Sequence, residues 1–282
     1  MQERSQYLDL AKGIAIFLMV FCHTGYSSLF NVWVYAFHMP IFFFISGMFV
    51  NEKKYSVFQF INKRFKQIFI PYLIFALIYC FGQKGMLDWL NIFYGSRNAL
   101  SQAKTFTPLW FLPCIFSANV LFFLILKYFN SNRARLISCV TAAIIGFLLT
   151  VINTKGYPLS LNVALVCTFL MFAGHYLHKR NCLSRKAWWG VFIMTSGLAF
   201  LTRPLSLDVN CNHVEMSISS FGFPILFMIN AIGLSAGLCS LCYHSVEIMG
   251  IRLTRLFSFF GKFSIVVLLT HYVTLRIGNV FH

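Results

Sequence analysis

Apolar residues in this chain come in long unbroken runs rather than in alternation. Nine runs approach the roughly 20 residues a helix needs to cross a bilayer: about 8–28, 31–50, 66–83, 108–128, 135–153, 158–177, 187–202, 221–242 and 256–276. Short polar stretches separate them, and no internal repeat, glycine–serine linker or low-complexity segment marks a boundary. The pattern predicts an all-α, polytopic integral membrane protein of about nine to ten transmembrane helices, with a single membrane domain over 1–282 and no soluble domain. Residues 86–95 are too few and too polar to span and are expected at the interface.

Composition agrees. Hydrophobic residues make up 59% of the 282 and charged residues 11%, under half the charge of an ordinary soluble domain. A net charge of +16 would suggest nucleic acid for a soluble chain. Here the basic residues sit in the gaps between apolar runs. Membrane lipids and an anionic, phosphate-bearing ligand are therefore the expected partners, and nucleic acid is not. With a cytoplasmic N-terminus and strict alternation, fifteen basic residues fall on the inner side and six on the outer, with Lys12 and Lys262 inside spans. That asymmetry supports the N-in orientation. Arg4 and the apolar stretch from Ile14 to Cys22 imitate a signal peptide, but no small-x-small cleavage site follows, so the first helix is read as retained. Nine cysteines give no disulfide framework; Cys239 and Cys242 have CxxC spacing without a second pair.

Two ionisable residues stand out on the first helix. Lys12 and His23 are eleven residues apart. Eleven steps of about 100° end about 20° past three turns, so the two share a face, separated by about 16 Å along the axis. Lys12 then lies near the cytoplasmic surface and His23 in the outer third of the membrane. The plain alternatives are a snorkelling Lys12 paired with Asp9 and a core His23 bonded to a neighbouring helix. Ionisable groups inside a membrane are costly and mark function by default. A turn centred near residue 30 or 31 would put His38 at the depth of His23, and His271 falls at about the same height, so three imidazoles are expected to converge. None of the three helices that carry them offers HxxxH or HxxE spacing, and no metal is expected. Imidazole suits proton transfer near neutral pH.

The run Leu8-Asp9-Leu10-Ala11-Lys12-Gly13-Ile14-Ala15 with His23 following resembles the opening of the acyltransferase 3 family, nearest its fucose 4-O-acetylase-like branch. Residues Phe37 to Gly47 (FHMPIFFFISG) resemble that family's second helix, and Lys63-Arg64-Phe65-Lys66 leading to Pro71-Tyr72 its basic loop and third helix. Leu109-Trp110-Phe111-Leu112 and Gly261-Lys262-Phe263-Ser264 with His271 match two later stretches. The resemblance implies a multi-pass protein of the bacterial inner membrane. Its donor substrate would be acetyl-CoA, and its acceptor an extracytoplasmic glycan or lipid-linked sugar. It implies His23 as the catalytic histidine and Lys12 as the basic residue of CoA handling. His38 and His271 are the further catalytic candidates. Lys63, Arg64, Lys66 and Lys262 are candidates for the nucleotide phosphates, although positive-inside topology alone explains the 63–66 cluster equally well. The family's usual ten helices exceed the nine counted, and its last helix would follow His271.

Two mechanisms are open: direct attack of the acceptor hydroxyl with His23 as base, or passage through acetyl-His23. Outer-side acids are few. Of Asp88, Asp208 and Glu215, the last two, near Asn210 and His213, are the substrate-side candidates, with Trp110. The competing class is a non-enzymatic transporter or flippase for a lipid-linked glycan, which also lines its cavity with basic and histidine side chains but usually shows inverted repeats.

Overall fold

The computed structural model describes residues 6–23, 28–81, 88–103, 106–153, 156–201, 213–246 and 251–271. Asp208 lies outside these, as do Arg4, Lys84, Lys104, Lys155, Arg203 and Arg276 among the residues used for orientation. The helices in chain order are α1 (Gln6–Cys22), α2 (Ser28–Tyr35), α3 (Pro40–Met48), α4 (Val57–Arg64), α5 (Ile70–Phe81), α6 (Trp89–Tyr94), α7 (Arg97–Gln102), α8 (Phe111–Tyr128), α9 (Asn132–Ile152), α10 (Leu161–Lys179), α11 (Ala187–Leu201), α12 (Pro224–Ser245), α13 (Ile251–Lys262) and α14 (Ser264–His271). Among the described residues no strand forms, and an isolated antiparallel bridge joins Glu215 to Ser220.

Five segments are long and apolar enough to cross a membrane: Leu29–Met48, Thr107–Tyr128, Asn132–Ile152, Pro158–Lys179 and Pro224–Ser245. Arg252–Lys262 and Ser264–His271 make a sixth only if counted as one span broken by a 74° bend. The chain is an all-α, multi-pass membrane protein. Among the described residues its full-length spans number fewer than hydropathy suggests. Pro71 has no N–H to give to the preceding turn, and the helix entering α5 widens to a π turn over Phe65–Phe69, with Ile70 N–H reaching Phe65 O. The first helix stops at Cys22, where His23 N–H bonds Val20 O at 3.1 Å.

One sequence expectation is corrected. Residues 30 and 31 lie inside α2, so they are not the centre of the first turn, and the arithmetic that set His38 level with His23 lapses. Within the span Leu29–Met48, hydrogen-bonded turns replace regular helix at Ala36–Met39, just before Pro40, where proline disfavours helical geometry in the residue before it.

Two compact units emerge, each assembled from separate stretches of chain. The first holds Met1–Ile45, Tyr176–Val214 and Phe221–His282. Its α1 lies against α13 at a glycine contact. A Cβ on Gly13 would overlap the Phe257 carbonyl, and one on Gly261 the Asp9 carbonyl, so the two backbones touch. Small residues permit this approach in membranes, where packing rather than hydrophobicity drives association. The same device joins α12 to α11, with Gly233 on Thr195 and Gly237 on Phe192. Cys239 and Cys242 lie free and buried on α12.

The second unit holds Ser46–His175 and Glu215–Ser220. Ser56 caps α4 in a reciprocal box with Gln59, and Phe60 stacks on Phe123 of α8 with centroids 4.0 Å apart. Buried Glu52 pairs with Arg135 at 3.0 Å, while Arg135 also bonds the Leu126 and Phe129 carbonyls and Lys127 the Glu52 and Tyr55 carbonyls. Several of the basic residues that signal orientation therefore also knit the chain between α3 and α4 to the turn between α8 and α9.

Candidate functional site

The site is built in the first unit, where α1 and α14 end. His23 follows α1 and is exposed, whereas His271 closes α14 at 3% exposure. Their rings stack with centroids 5.5 Å apart and planes 28° from parallel. His271 Nδ1 lies 2.8 Å from Leu268 O. A carbonyl oxygen only accepts, so this nitrogen carries the proton, and in the neutral ring Nε2 presents its lone pair. An exposed imidazole thus stacks on a buried one whose Nδ1 its own helix holds.

His38 is buried and tethered in the same fashion, Nδ1 donating to Val34 O at 3.0 Å. Its ring meets Tyr35 edge-on at 4.6 Å, and Tyr35 meets His213 at 4.2 Å. Of the three histidines expected to converge, the structure thus brings His23 and His271 into ring contact. Tyr35 is a neighbour that sequence reasoning missed; an aromatic residue three before His38 on a helix was the available signal.

Lys12 Nζ sits 2.6 Å from Asp9 Oδ1, with both side chains largely buried. The plain pairing considered for Lys12 is therefore present. α1 is helical through Cys22 and so provides ten of the eleven steps to His23, about 15 Å of rise. Lys262 is exposed, its ammonium 5.9 Å from the Phe263 ring, and it follows directly on the Gly261 contact with Asp9. The sequence places Asp9, Lys12, Gly13, Gly261 and Lys262 in two distant motifs; the fold makes Asp9, Gly13 and Gly261 one neighbourhood.

The remaining candidates belong to the second unit. Lys63 is exposed and donates to the Tyr55 hydroxyl at 2.8 Å, and that bond lowers the Tyr55 pKa from its ordinary value. The Arg64 guanidinium lies over Phe60 at 5.2 Å, and Lys66 is exposed on the π turn, a backbone form common at functional sites. Trp110 is buried, packed edge-on to Phe111. Glu215 caps the short helix Met216–Ile218, accepting from Ser217 N at 3.2 Å. Among the described residues no group of three or more His, Cys, Asp or Glu is placed to hold a metal ion.

The family model described as an acyltransferase domain, acyltransferase 3, matches residues 5–279. The chain belongs to the acyltransferase 3 family. No curated protein and no solved structure matches it. As an acyltransferase 3 protein it is a multi-pass membrane acyltransferase, and the match takes in Lys12, His23 and His271. For acyl transfer the arrangement offers an exposed imidazole stacked on a buried one, with Lys12 ten residues before the end of the adjoining helix, about 15 Å of rise.

Proposed function

We propose that this acyltransferase moves an acetyl group from cytoplasmic acetyl-CoA to a hydroxyl of an extracytoplasmic or lipid-linked cell-surface glycan, as in the fucose 4-O-acetylase-like branch, and works in the bacterial inner membrane. The observation that carries the reading is the exposed His23 ring stacked on buried His271. A sugar hydroxyl is a weak nucleophile until a base takes its proton, and a thioester is already activated. In the direct route His23 accepts the hydroxyl proton as the oxygen attacks the thioester carbonyl. The C–S bond breaks, and the proton passes from His23 to the departing CoA thiolate. In the two-step route an unprotonated His23 ring nitrogen attacks the thioester carbonyl, the C–S bond breaks and the CoA thiolate leaves, taking a proton from the ring; the sugar oxygen then attacks the acetyl carbonyl, the N–C bond breaks and the freed imidazole takes the hydroxyl proton.

Lys12 and Lys262 supply positive charge for the nucleotide phosphates in the first unit. A multiply charged phosphate competes effectively with the single carboxylate of Asp9 for the Lys12 ammonium. The extended pantetheine arm, on the order of 15–20 Å, is comparable to the helical rise between Lys12 and His23. Lys63, Arg64 and Lys66 carry like charge on the second unit.

Proton NMR of the surface glycan tests the reading. The O-acetyl signal should be present with the intact chain and absent without it or with His23→Ala. An unchanged O-acetyl signal in cells lacking the chain would contradict it.

A further inference from the structure

Apart from its last residue, Lys262, helix α13 is left over by the transfer chemistry, and its surface divides three ways. At about 100° per residue, Thr254, Phe257, Ser258 and Gly261 fall on one face. This is the less exposed face, and Phe257 and Gly261 set it against Gly13 and Asp9 of α1. Leu253, Leu256 and Phe260 make a second face, apolar and exposed. Arg252, Arg255 and Lys262 are exposed along a third, with Phe259 on the border between the last two. No Asp or Glu follows Glu247 in the sequence, so α13 carries no acid of its own.

Two contacts set the direction of this helix. Gly261 meets Asp9 near the start of α1, and His271 meets His23 just past its end. The short helix α14 therefore climbs along α1. Because α13 meets α14 at a 74° bend, it runs across α1, at the end that N-in alternation puts in the cytoplasm. Arg252 and Lys262 are about 15 Å apart along α13. Were α13 to follow the membrane normal, one of these two exposed charges would be carried into hydrocarbon, where charge is costly. Lying flat, α13 keeps all three basic groups at one depth while its apolar face enters the acyl region, as interfacial amphipathic helices do.

We propose that α13 lies flat in the headgroup region of the inner leaflet and that Arg252 and Arg255 bind the phosphates of anionic lipids there. An anionic lipid offers a phosphate and acyl chains side by side, which matches a basic edge adjoining an apolar face. A free nucleotide offers no counterpart to Leu253, Leu256 and Phe260. Lys262 shares the basic edge but also serves the nucleotide phosphates in the reading above, so the two arginines carry the test.

The test uses the full chain in nanodiscs, with Cys80, Cys182 and Cys211 replaced by serine and one label introduced at a time. Spin labels at Leu253→Cys and Phe260→Cys share a face and stand about 10 Å apart along the helix. Collision with oxygen and with a water-soluble nickel chelate gives their depths. Both should lie equally shallow, about 5–10 Å into the headgroup and acyl boundary. Ile144→Cys and Val151→Cys, exposed on the membrane-spanning helix α9, give the yardstick, a depth difference of about 10 Å. The same difference between the labels at 253 and 260 would overturn the flat placement and put the basic edge along a water-filled channel instead. The lipid is tested by quenching of a fluorophore at Leu256→Cys in bilayers of phosphatidylglycerol and phosphatidylcholine, with one or the other brominated. Phosphatidylglycerol should be enriched at least about fivefold beside the label, and Arg252→Gln/Arg255→Gln should bring the two lipids close to parity. Equal quenching by both lipids with the arginines in place would overturn the headgroup assignment, as would a preference that survives their replacement.

Discussion

At Lys12 two demands meet on one side chain. Its ammonium neutralises Asp9 at 2.6 Å in a largely buried setting, yet the proposed chemistry asks it to meet a phosphate. Removing one member of a buried pair typically costs about 3–5 kcal/mol, while removing both costs far less. Thermal unfolding in detergent should therefore show Lys12→Met strongly destabilised and Asp9→Asn/Lys12→Met partly recovered, with a coupling of about 1–3 kcal/mol. Additive effects would mean that the pair carries no structural weight. Sequence spacing made the Lys12–Asp9 pair legible, because positions three apart lie on one side of a helix. The stacking of His23 on His271 joins the two ends of the chain, and depth counting only suggested it. Tyr35 and His213 were invisible as partners, since nothing in their local sequence brings position 35 to position 213.

Among the elements, the contact between α1 and α13 sets the geometry of the site. It depends on Gly13 and Gly261, where any Cβ would meet a carbonyl. Gly261→Ala must push the helices apart, at about 1–3 kcal/mol, and it shifts the helix pair that ends in His271 relative to α1. Acetyl transfer should fall at least about tenfold while the chain still inserts. Gly190→Ala is the matched control. Nothing lies within 4 Å of a Cβ there, and alanine in an open helical site is favourable by about 0.5–1 kcal/mol. Equal activity of Gly261→Ala and Gly190→Ala would show that the backbone contact is not needed. Hydropathy located the five full spans to within a few residues, because lipid-facing length is a local property. It missed the π turn before Pro71, the break at Ala36–Met39 and the 74° bend after Lys262, because each of these interrupts the backbone without lowering the average hydropathy.

For the molecule as a whole, orientation decides which chemistry faces which compartment. Exposed Lys54 and Leu90 fall on opposite sides in the N-in arrangement. A membrane-impermeant maleimide should label Leu90→Cys in intact cells and Lys54→Cys only after permeabilisation. The background should be low, because six of the described cysteines are buried; Cys80, Cys182 and Cys211 are replaced by serine. The reverse labelling would turn the molecule over and put His23 on the wrong side for an external acceptor. The fold class was legible because 59% hydrophobic content in long runs leaves few alternatives. The division into two units was not, since each is stitched from distant stretches.

The most direct measurement follows labelled acetyl from acetyl-CoA, supplied on the cytoplasmic side of membrane vesicles, into de-O-acetylated surface polysaccharide on the other side. Wild-type chain should transfer the label, and His23→Ala at equal membrane yield should be slower by about 10²–10⁴-fold, the usual range for loss of a general base. Transfer by His23→Ala at the wild-type rate would contradict a catalytic role for that imidazole.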